Sequence, residues 1–538
     1  MTAASVDGIP PLADRRLADL VLRQAAARPS QPYVTFAATG STWTYAEFAD
    51  QAARFAGGLR ALGHSIGDRI GIMLPNDPEY LLGWFGSLFA GTVDVAVNSA
   101  LTKGRLAHQL RVAGVTTLIC RADGARAVAE VCRDLPSLKR IVSVGDGVPD
   151  LGLEHLSFDS LLTSPPAERY PSSPKDTATI RYTSGTTGPA KAVALTHSRL
   201  TVFANQFVWL TGYTAEDALY TCFPLHHGIA STLGVVTTLV SGGHLIVDDR
   251  FSASGYWDSI RRHDATLAHI INPLLPILLA QPPSSHDRDH RCARLWTAVP
   301  NEQFESRFRT QLINFYGQSE GGAIAVIPPG EEAPQGSSGR ESDLFEIQIV
   351  DDDDYPVTAG EVGEIVWRPK QPHLMTPGYV GDPESTVRAW QNLWFHSGDA
   401  GKLDADGYLF LIGRQGDQIR RKGVNISAEE VEAAASEYGP VVIAAAVAVP
   451  SELGESEVKL CVVADSADFD PAALHTHLRE ALPPEMVPRF IEVRDSLPLT
   501  DTHKVRKAVL RGEGVTASVI DFEAHRFAGG SSLPASGQ

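Results

Sequence analysis

Apolar positions change their period repeatedly along the chain, and each change marks an element. Residues 17–27 place apolar side chains at a spacing near 3.6, which predicts a helix, and Thr42-Trp43-Thr44-Tyr45 leads into another that runs to Leu62. Arg69-Ile70-Gly71-Ile72-Met73-Leu74 then reads as a buried strand. Asn76-Asp77-Pro78 opens the next helix, with Asp77 as cap and Pro78 in the first turn, and the helix ends near Gly91. Residues 93–97, 116–120 and 140–144 read as strands, and 102–112 and 125–133 as helices. Such alternation predicts right-handed βαβ units and a parallel sheet with helices on both faces. A second alternating block spans 195–327, with a strand at 244–247, a helix at 255–262 and a strand at 312–316.

Between 345 and 411 the pattern becomes strand-rich. Strands at 345–350 and 363–367 flank the acidic run from Asp351 to Asp354, which reads as a solvated hairpin tip rather than a metal site. Beyond Arg414 a short unit follows. Ser427 and Glu430 suggest a capping box for a helix to Glu437; strands at 441–449 and 458–464 and a helix at 471–482 come next. After Gly512 the chain is polar and ends in Gly and Ser, so it is expected to fray. No internal repeat is present.

A chain of 538 residues is too long for one core, so two or more domains are expected. No apolar run approaches the ~18 residues of a membrane span, and the start lacks a basic stretch leading into an apolar one, so a cytoplasmic protein is expected. Five scattered cysteines, Cys120, Cys132, Cys222, Cys292 and Cys461, form no Cys-x-x-Cys pair and suggest neither a disulfide framework nor a zinc site. The formal charge of -18 argues against a nucleic-acid partner. An anionic substrate must therefore be met by local positive groups, of which Arg420-Arg421-Lys422 is one.

The strongest chemical signal follows the strand-like Ala178-Thr179-Ile180-Arg181. It is Tyr182-Thr183-Ser184-Gly185-Thr186-Thr187-Gly188-Pro189-Ala190-Lys191, a loop of glycines and hydroxyls closed by a lysine. Glycines permit unusual backbone angles, hydroxyls donate to oxyanions and the lysine brings a mobile charge, so the loop suits a polyphosphate, with ATP the expected ligand. A Walker A loop is excluded, because Lys191 lies three residues beyond Gly188 and precedes Ala192.

Four further stretches accompany it in order: Phe315-Tyr316-Gly317-Gln318-Ser319-Glu320, Trp394-Phe395-His396-Ser397-Gly398-Asp399, Gly413-Arg414-Gln415-Gly416-Asp417, and Leu497-Pro498-Leu499-Thr500-Asp501-Thr502-His503-Lys504-Val505-Arg506-Lys507. Together they resemble the superfamily of adenylate-forming enzymes, which includes acyl-CoA synthetases, peptide-synthetase adenylation domains and luciferases. Phe251-Ser252-Ala253-Ser254, Gly378-Tyr379 and the final lysine motif look most like carnitine/crotonobetaine-type CoA ligases. The resemblance implies an α/β fold: a large N-terminal domain (1–413) of mixed and parallel sheets with flanking helices and a β-rich subdomain, then a small mobile α+β C-terminal domain (414–512), with 513–538 a flexible tail. The active site is expected in the cleft between the domains, and Gly416 falls at the hinge.

The same resemblance implies roles. Thr183, Ser184, Thr186, Thr187 and Lys191, with Gly185 and Gly188, meet the β- and γ-phosphates; Glu320 binds Mg2+; Ser319, usually Thr in the family, contacts the α-phosphate. Tyr316 lies against adenine beside Gly317, Asp399 accepts from the ribose and Arg414 supports the same region. Lys504 bridges the α-phosphate and the substrate carboxylate. Ala298, Val299 and Pro300 stand where the family often has Gly-Gly-Ala-Pro, and His226-His227 where it has Phe-His, which puts His227 with the catalytic set. His226 is expected either to pair with an anionic or phenolic substrate group or simply to pack. Lys422 and Gly423 belong to the CoA side, with Arg420 and Arg421 meeting its phosphates. Arg181 departs from the family by occupying a usually apolar strand position.

The implied activity is ATP-dependent activation of a small or aromatic carboxylate as acyl-AMP and transfer to CoA. Two alternatives stay open: transfer of an activated carboxylate, or of a small anion such as nitrite, to an amine, and a serine hydrolase using Ser319, since Gly317-Gln318-Ser319-Glu320-Gly321 matches a nucleophile elbow. A homodimer is left open.

Overall fold

The computed structural model describes residues 9–183, 190–296, 300–414, 418–421, 424–450, 456–465, 469–500 and 504–523. The first alternating block folds into a seven-stranded sheet. Its order is Glu154–Ser157, Arg140–Ser143, Thr117–Cys120, Arg69–Met73, Val93–Ala96, Thr177–Thr183, Lys191–Thr196. All neighbours are parallel except the last two, which form an antiparallel hairpin. Val93–Ala96 and Thr117–Cys120 are buried throughout, including the polar Asp94 and Thr117.

The helix Pro78–Ala90 is buried at every position from Tyr80 onward, so its sequence is apolar on nearly all sides. Asp77 occupies its cap position, yet its side chain caps nothing; it pairs with Arg121 at 2.7 Å instead. The helix expected at 125–133 lies at Ala122–Ala129, and the chain then tightens into a short 3-10 turn at Cys132–Asp134. Val131 and Leu135 flank this turn and both join the core.

A second seven-stranded sheet runs Gln311–Ile313, Arg294–Trp296, Leu267–His269, Ala218–Thr221, His244–Val247, Pro32–Phe36, Ser41–Thr44. Its last two strands come from the start of the chain and escaped the sequence analysis. Pro32–Phe36 is too uniformly buried to alternate, and its parallel partner, reached through Val34 opposite Leu245, is remote in sequence. The acidic run after Phe345–Val350 is a turn: Asp351 Oδ1 accepts from the backbone N–H groups of Asp353 and Tyr355, each at 2.9 Å.

Two compact units divide the chain. One comprises 1–272, 281–397 and 402–410; the other 273–280, 398–401 and 411–538. No helix among the described residues is long and apolar enough to cross a membrane. The second unit is built on a four-stranded sheet, Val441–Pro450, Ser456–Ala464, Phe490–Val493 and Ile520–Asp521, with the helices Ala428–Ser436 and Pro471–Ala481. Ile419, Ile426, Val431, Leu460, Leu474 and Ile491 fill its core. Ser427 caps Ala428–Ser436 by accepting from the Glu430 N–H at 3.3 Å, and donates to the Ile412 carbonyl at 2.6 Å.

Arg421 corrects an expectation. Two residues from Ile419 on the strand Gln418–Arg421, it falls on the inward face and is only 1% exposed. It pairs with Glu457 at 2.6 Å and Glu523 at 3.1 Å, and donates to the carbonyls of Glu485 (3.0 Å) and Val487 (2.8 Å). It is thus consumed inside the unit and unavailable to a ligand phosphate. Removing one partner of a buried ion pair typically costs about 3–5 kcal/mol, so Arg421→Ala is expected to destabilise this unit by that order. Hydrogen exchange along Val441–Pro450 and Ser456–Ala464 measures it; unchanged protection there would show that the pair carries no net stability.

Candidate functional site

The hairpin at the edge of the first sheet frames the site. Thr183 ends one strand, Lys191 begins the next, and the two stand opposite each other in register. Ser184, Gly185, Thr186, Thr187 and Gly188 lie outside the described residues, but both ends of their loop are thereby fixed.

Residues 376–380 lie along the second strand of the hairpin. Thr376 Oγ1 donates to the Ala194 carbonyl at 2.7 Å, the Ala194 N–H to the Gly378 carbonyl at 3.2 Å and the Val380 N–H to the Ala192 carbonyl at 2.7 Å, while Tyr379 bridges to Val193. This clamps the Tyr379 ring against the lysine: Lys191 Nζ sits 4.7 Å from the ring centroid. The Tyr379 hydroxyl donates to Glu320 Oε1 at 2.9 Å. Glu320 is buried, and its own carbonyl accepts from the Thr376 N–H at 2.7 Å.

The turn that carries Glu320 is held from below by Arg199, on the helix His197–Thr211. Arg199 Nη2 donates to the carbonyls of Gln318 (3.2 Å) and Ser319 (2.7 Å), and its guanidinium rests over Phe203. Burial lowers Arg199 to about 10, with Glu320 acting in the opposite sense, so it stays charged at neutral pH. The Gln318 side chain accepts from Trp367 Nε1 at 3.2 Å and donates to the Ser397 carbonyl at 3.0 Å. Ser319 between them is exposed, whereas Tyr316 is buried. Phe315–Gly317 is followed by bends and the antiparallel strand Ala323–Val326. A nucleophile elbow needs a helix directly after the serine, so the hydrolase alternative lacks its structural context.

On the side assigned to the acyl group, Ala298 and Val299 lie outside the described residues. Pro300 is exposed and leads into Glu302–Phe308, capped by Asn301, which accepts from the Phe304 N–H at 2.9 Å. Burial, then His227 and Arg181, push His226 down to about 3, so it is neutral at physiological pH. His227 Nδ1 accepts from the Ile229 N–H at 3.4 Å, and its carbonyl accepts from Ser231 Oγ at 2.8 Å. Arg181 tolerates its inward position because Asp94 pairs with it at 3.1 Å, Tyr80 Oη accepts from it at 2.9 Å and Trp84 stacks beneath it.

In the second unit, Arg414 Nε meets Asp399 Oδ1 at 2.9 Å, with Asp399 buried and Arg414 exposed. Lys504 lies on a tight reversal: the Thr500 N–H donates to its carbonyl at 2.7 Å, its own N–H donates to Thr500 Oγ1 at 3.1 Å, and Leu499 bridges to Val505. The residue as a whole is exposed, yet desolvation of its ammonium and then Arg414 lower its pKa, while Asp399 and Glu429 oppose. Lys422 and Gly423 lie outside the described residues.

Comparison with known proteins settles the family. Residues 21–380 match the model of the AMP-binding enzyme family, and 430–504 that of the AMP-binding enzyme C-terminal domain. The chain belongs to the AMP-binding enzyme family. Crotonobetaine/carnitine–CoA ligases of Salmonella paratyphi B and Salmonella typhi are each 28% identical over 481 residues, 87% of this chain and 93% of the relative. Among solved structures, an anthranilate CoA ligase in complex with anthranoyl-AMP superposes with a TM-score of 0.85 at 23% identity, covering 95% of this chain and 98% of that one. A benzoate CoA ligase from Burkholderia xenovorans LB400 gives 0.81 at 23% identity, covering 92% and 99%. This AMP-binding enzyme therefore has the α/β fold expected, and it is an adenylate-forming ligase.

Two residues of the site went unassigned in the sequence. Tyr379 was visible only as part of a Gly-Tyr pair, and Arg199 lay in a part of the second alternating block where no element was read. A glycine also proves necessary. A Cβ on Gly317 would stand 2.3 Å from the Gly322 carbonyl oxygen, whereas one on Gly104 meets nothing within 4 Å. Overpacking of this kind costs about 1–3 kcal/mol, so Gly317→Ala is expected to lower the melting temperature and weaken ATP binding, with Gly104→Ala neutral or stabilising. Thermal unfolding and calorimetry of both variants check this.

Proposed function

We propose that this enzyme uses ATP to convert a carboxylate into an acyl-adenylate, releasing pyrophosphate, and then passes the acyl group to the thiol of CoA. The observation that carries the reading is the juxtaposition of Lys191 and Glu320 on one tyrosine beside the two fixed ends of the hydroxyl-rich loop. A cation and a carboxylate there suit a nucleotide that arrives with a divalent ion. Mg2+ binds through one or two carboxylates together with substrate phosphates, and a single buried carboxylate fits that use. Among the described residues no group of three His, Cys, Asp or Glu could hold a metal alone. When bound, the ion would offset the charge of the departing pyrophosphate.

In this reading Thr183, Ser184, Thr186, Thr187 and Lys191 hold the β- and γ-phosphates, with Gly185 and Gly188 allowing close approach. The exposed Ser319 hydroxyl donates to the α-phosphate, and Tyr316 and Gly317 lie along adenine. Asp399, oriented by Arg414, accepts from the ribose hydroxyls. The Lys504 ammonium draws the attacking carboxylate and the α-phosphate together, offsetting the repulsion between two anions. Rotation about 415–417 would then exchange Lys504 for Gly423, whose lack of a side chain admits a thiol. Arg420 and Lys422 remain to meet CoA phosphates.

The donor is a small or aromatic monocarboxylate. The relatives named for anthranilate and benzoate support this class. His226 is neutral and Arg181 is neutralised by Asp94, so neither offers a charge to a second carboxylate.

Losing one donor at a developing charge typically costs about 10²–10³ in rate, so Lys504→Ala is expected to reduce pyrophosphate exchange by that factor while still converting supplied acyl-adenylate with CoA. Exchange near the wild-type rate would remove Lys504 from the adenylation step. The reaction as a whole is tested by AMP release with a panel of mono- and dicarboxylates, run with CoA, with amines, with nitrite and with no acceptor. Turnover with aromatic or small monocarboxylates that requires CoA is expected; turnover driven by an amine or nitrite and indifferent to CoA would refute the ligase reading.

A further inference from the structure

Two opposite charges destined for one ligand face a hazard before it arrives: they can pair with each other. Lys191 and Glu320 approach the same tyrosine, yet among the described residues neither takes part in an ion pair. Tyr379 supplies each with a neutral partner instead. Its ring face, electron-rich by virtue of the aromatic quadrupole, receives the ammonium at 4.7 Å. Its hydroxyl, at the far end of the same ring, donates to Glu320 Oε1 at 2.9 Å and so fixes the rotation of the carboxylate.

The ring is itself held rigidly. The bridge to Val193 and the flanking hydrogen bonds to Ala192 and Ala194 tie its backbone to the strand that carries Lys191, and the donation from the Tyr379 N–H to Thr386 Oγ1 at 2.9 Å ties it to the helix Pro383–Ala389 that follows. The Thr376 N–H ties the same segment to the Glu320 carbonyl. One short stretch of chain therefore sets the separation of the two charges.

We propose that Tyr379 is a positioning residue that keeps Lys191 and Glu320 from pairing, holding one charge on its ring and the other on its hydroxyl until a metal nucleotide takes both. The inference rests on the reading of Lys191 as a phosphate cation and Glu320 as a metal carboxylate. A tyrosine that merely filled space would be replaceable by any apolar ring without effect on metal dependence. A spacer that also orients a carboxylate would not.

Calorimetric binding of ATP, with and without Mg2+ and in the absence of carboxylate and CoA, distinguishes these roles. Tyr379→Phe keeps the ring and removes the donor, so metal-free ATP affinity is expected to stay at the wild-type level while the Mg2+ concentration that tightens binding rises about tenfold, the cost of one hydrogen bond to a charged group. Tyr379→Leu removes both and lets the charges meet, so metal-free ATP binding is expected to weaken several-fold as well. Adding Glu320→Gln should then restore metal-free binding more strongly in the Tyr379→Leu background than in the wild type. Wild-type Mg2+ dependence in Tyr379→Phe, or no extra restoration by Glu320→Gln, would overturn the proposal. The single variants Lys191→Met and Glu320→Gln test the premise separately: if neither changes ATP affinity or its metal dependence, the assignment of the site fails and the proposal with it.

Discussion

A cation that is to meet a polyphosphate must not be neutralised beforehand by the protein's own acids, and this chain carries 64 acidic residues against 46 basic ones. Much of the structure follows from that constraint. Arg181 and Arg421 are sunk into the interior, where Asp94 pairs with the first and Glu457 and Glu523 with the second. Arg199 is equally buried but spends its donors on backbone carbonyls under the Glu320 turn. The first two are offset by acids, whereas Arg199 keeps its charge beneath the turn that carries Glu320. Lys191 meets an aromatic face instead, which attracts a cation without cancelling its charge.

The hairpin that presents Lys191 depends in turn on the sheet behind it. The strands of a parallel sheet buried on both faces cannot easily shift, because the side chains on each face interdigitate at close packing with the layer that covers them. Thr177–Thr183 inherits that register from Val93–Ala96, and Lys191–Thr196 inherits it from Thr177–Thr183. The 376–380 segment then takes its register from Lys191–Thr196 through backbone hydrogen bonds. The distance between the lysine and the carboxylate is thus set by a chain of backbone pairings that begins in the core.

What the sequence disclosed, and what it did not, divides along the same line. The loop of glycines and hydroxyls, the Glu320 turn and the Lys504 stretch stood out as motifs because each gathers particular residue types at close spacing. Most of the first sheet was legible because burial leaves continuous apolar runs of strand length. Pro32–Phe36 was not, since its place between His244–Val247 and the edge strand Ser41–Thr44 is decided by pairing with a strand remote in the chain, Val34 lying opposite Leu245. Arg421 was misassigned with its neighbours because a run of three cations reads as one charged surface. Strand geometry separates them: residues two apart share a face, and Ile419 draws Arg421 inward. Tyr379 is harder still, for its role lies in the distance between two partners that the sequence separates widely.

The second unit repeats the sorting of charges near Lys504. Three residues beyond it, Lys507 Nζ pairs at 2.7 Å with Glu432, whose carboxyl burial lifts to about 7 while Lys507 opposes the shift. That pair anchors the segment and removes Lys507 from any field offered to a ligand. Among the described residues Lys504 has no such pair, and Asp399, the acid that most directly attracts it, is occupied by Arg414 at 2.9 Å. Because Arg414 engages the carboxylate while repelling the ammonium, the lysine is left less stabilised by its own protein than its neighbour is. A cation in that position gains most when an external anion arrives, and that is the condition for electrostatic stabilisation to be stronger in a transition state than in the resting enzyme.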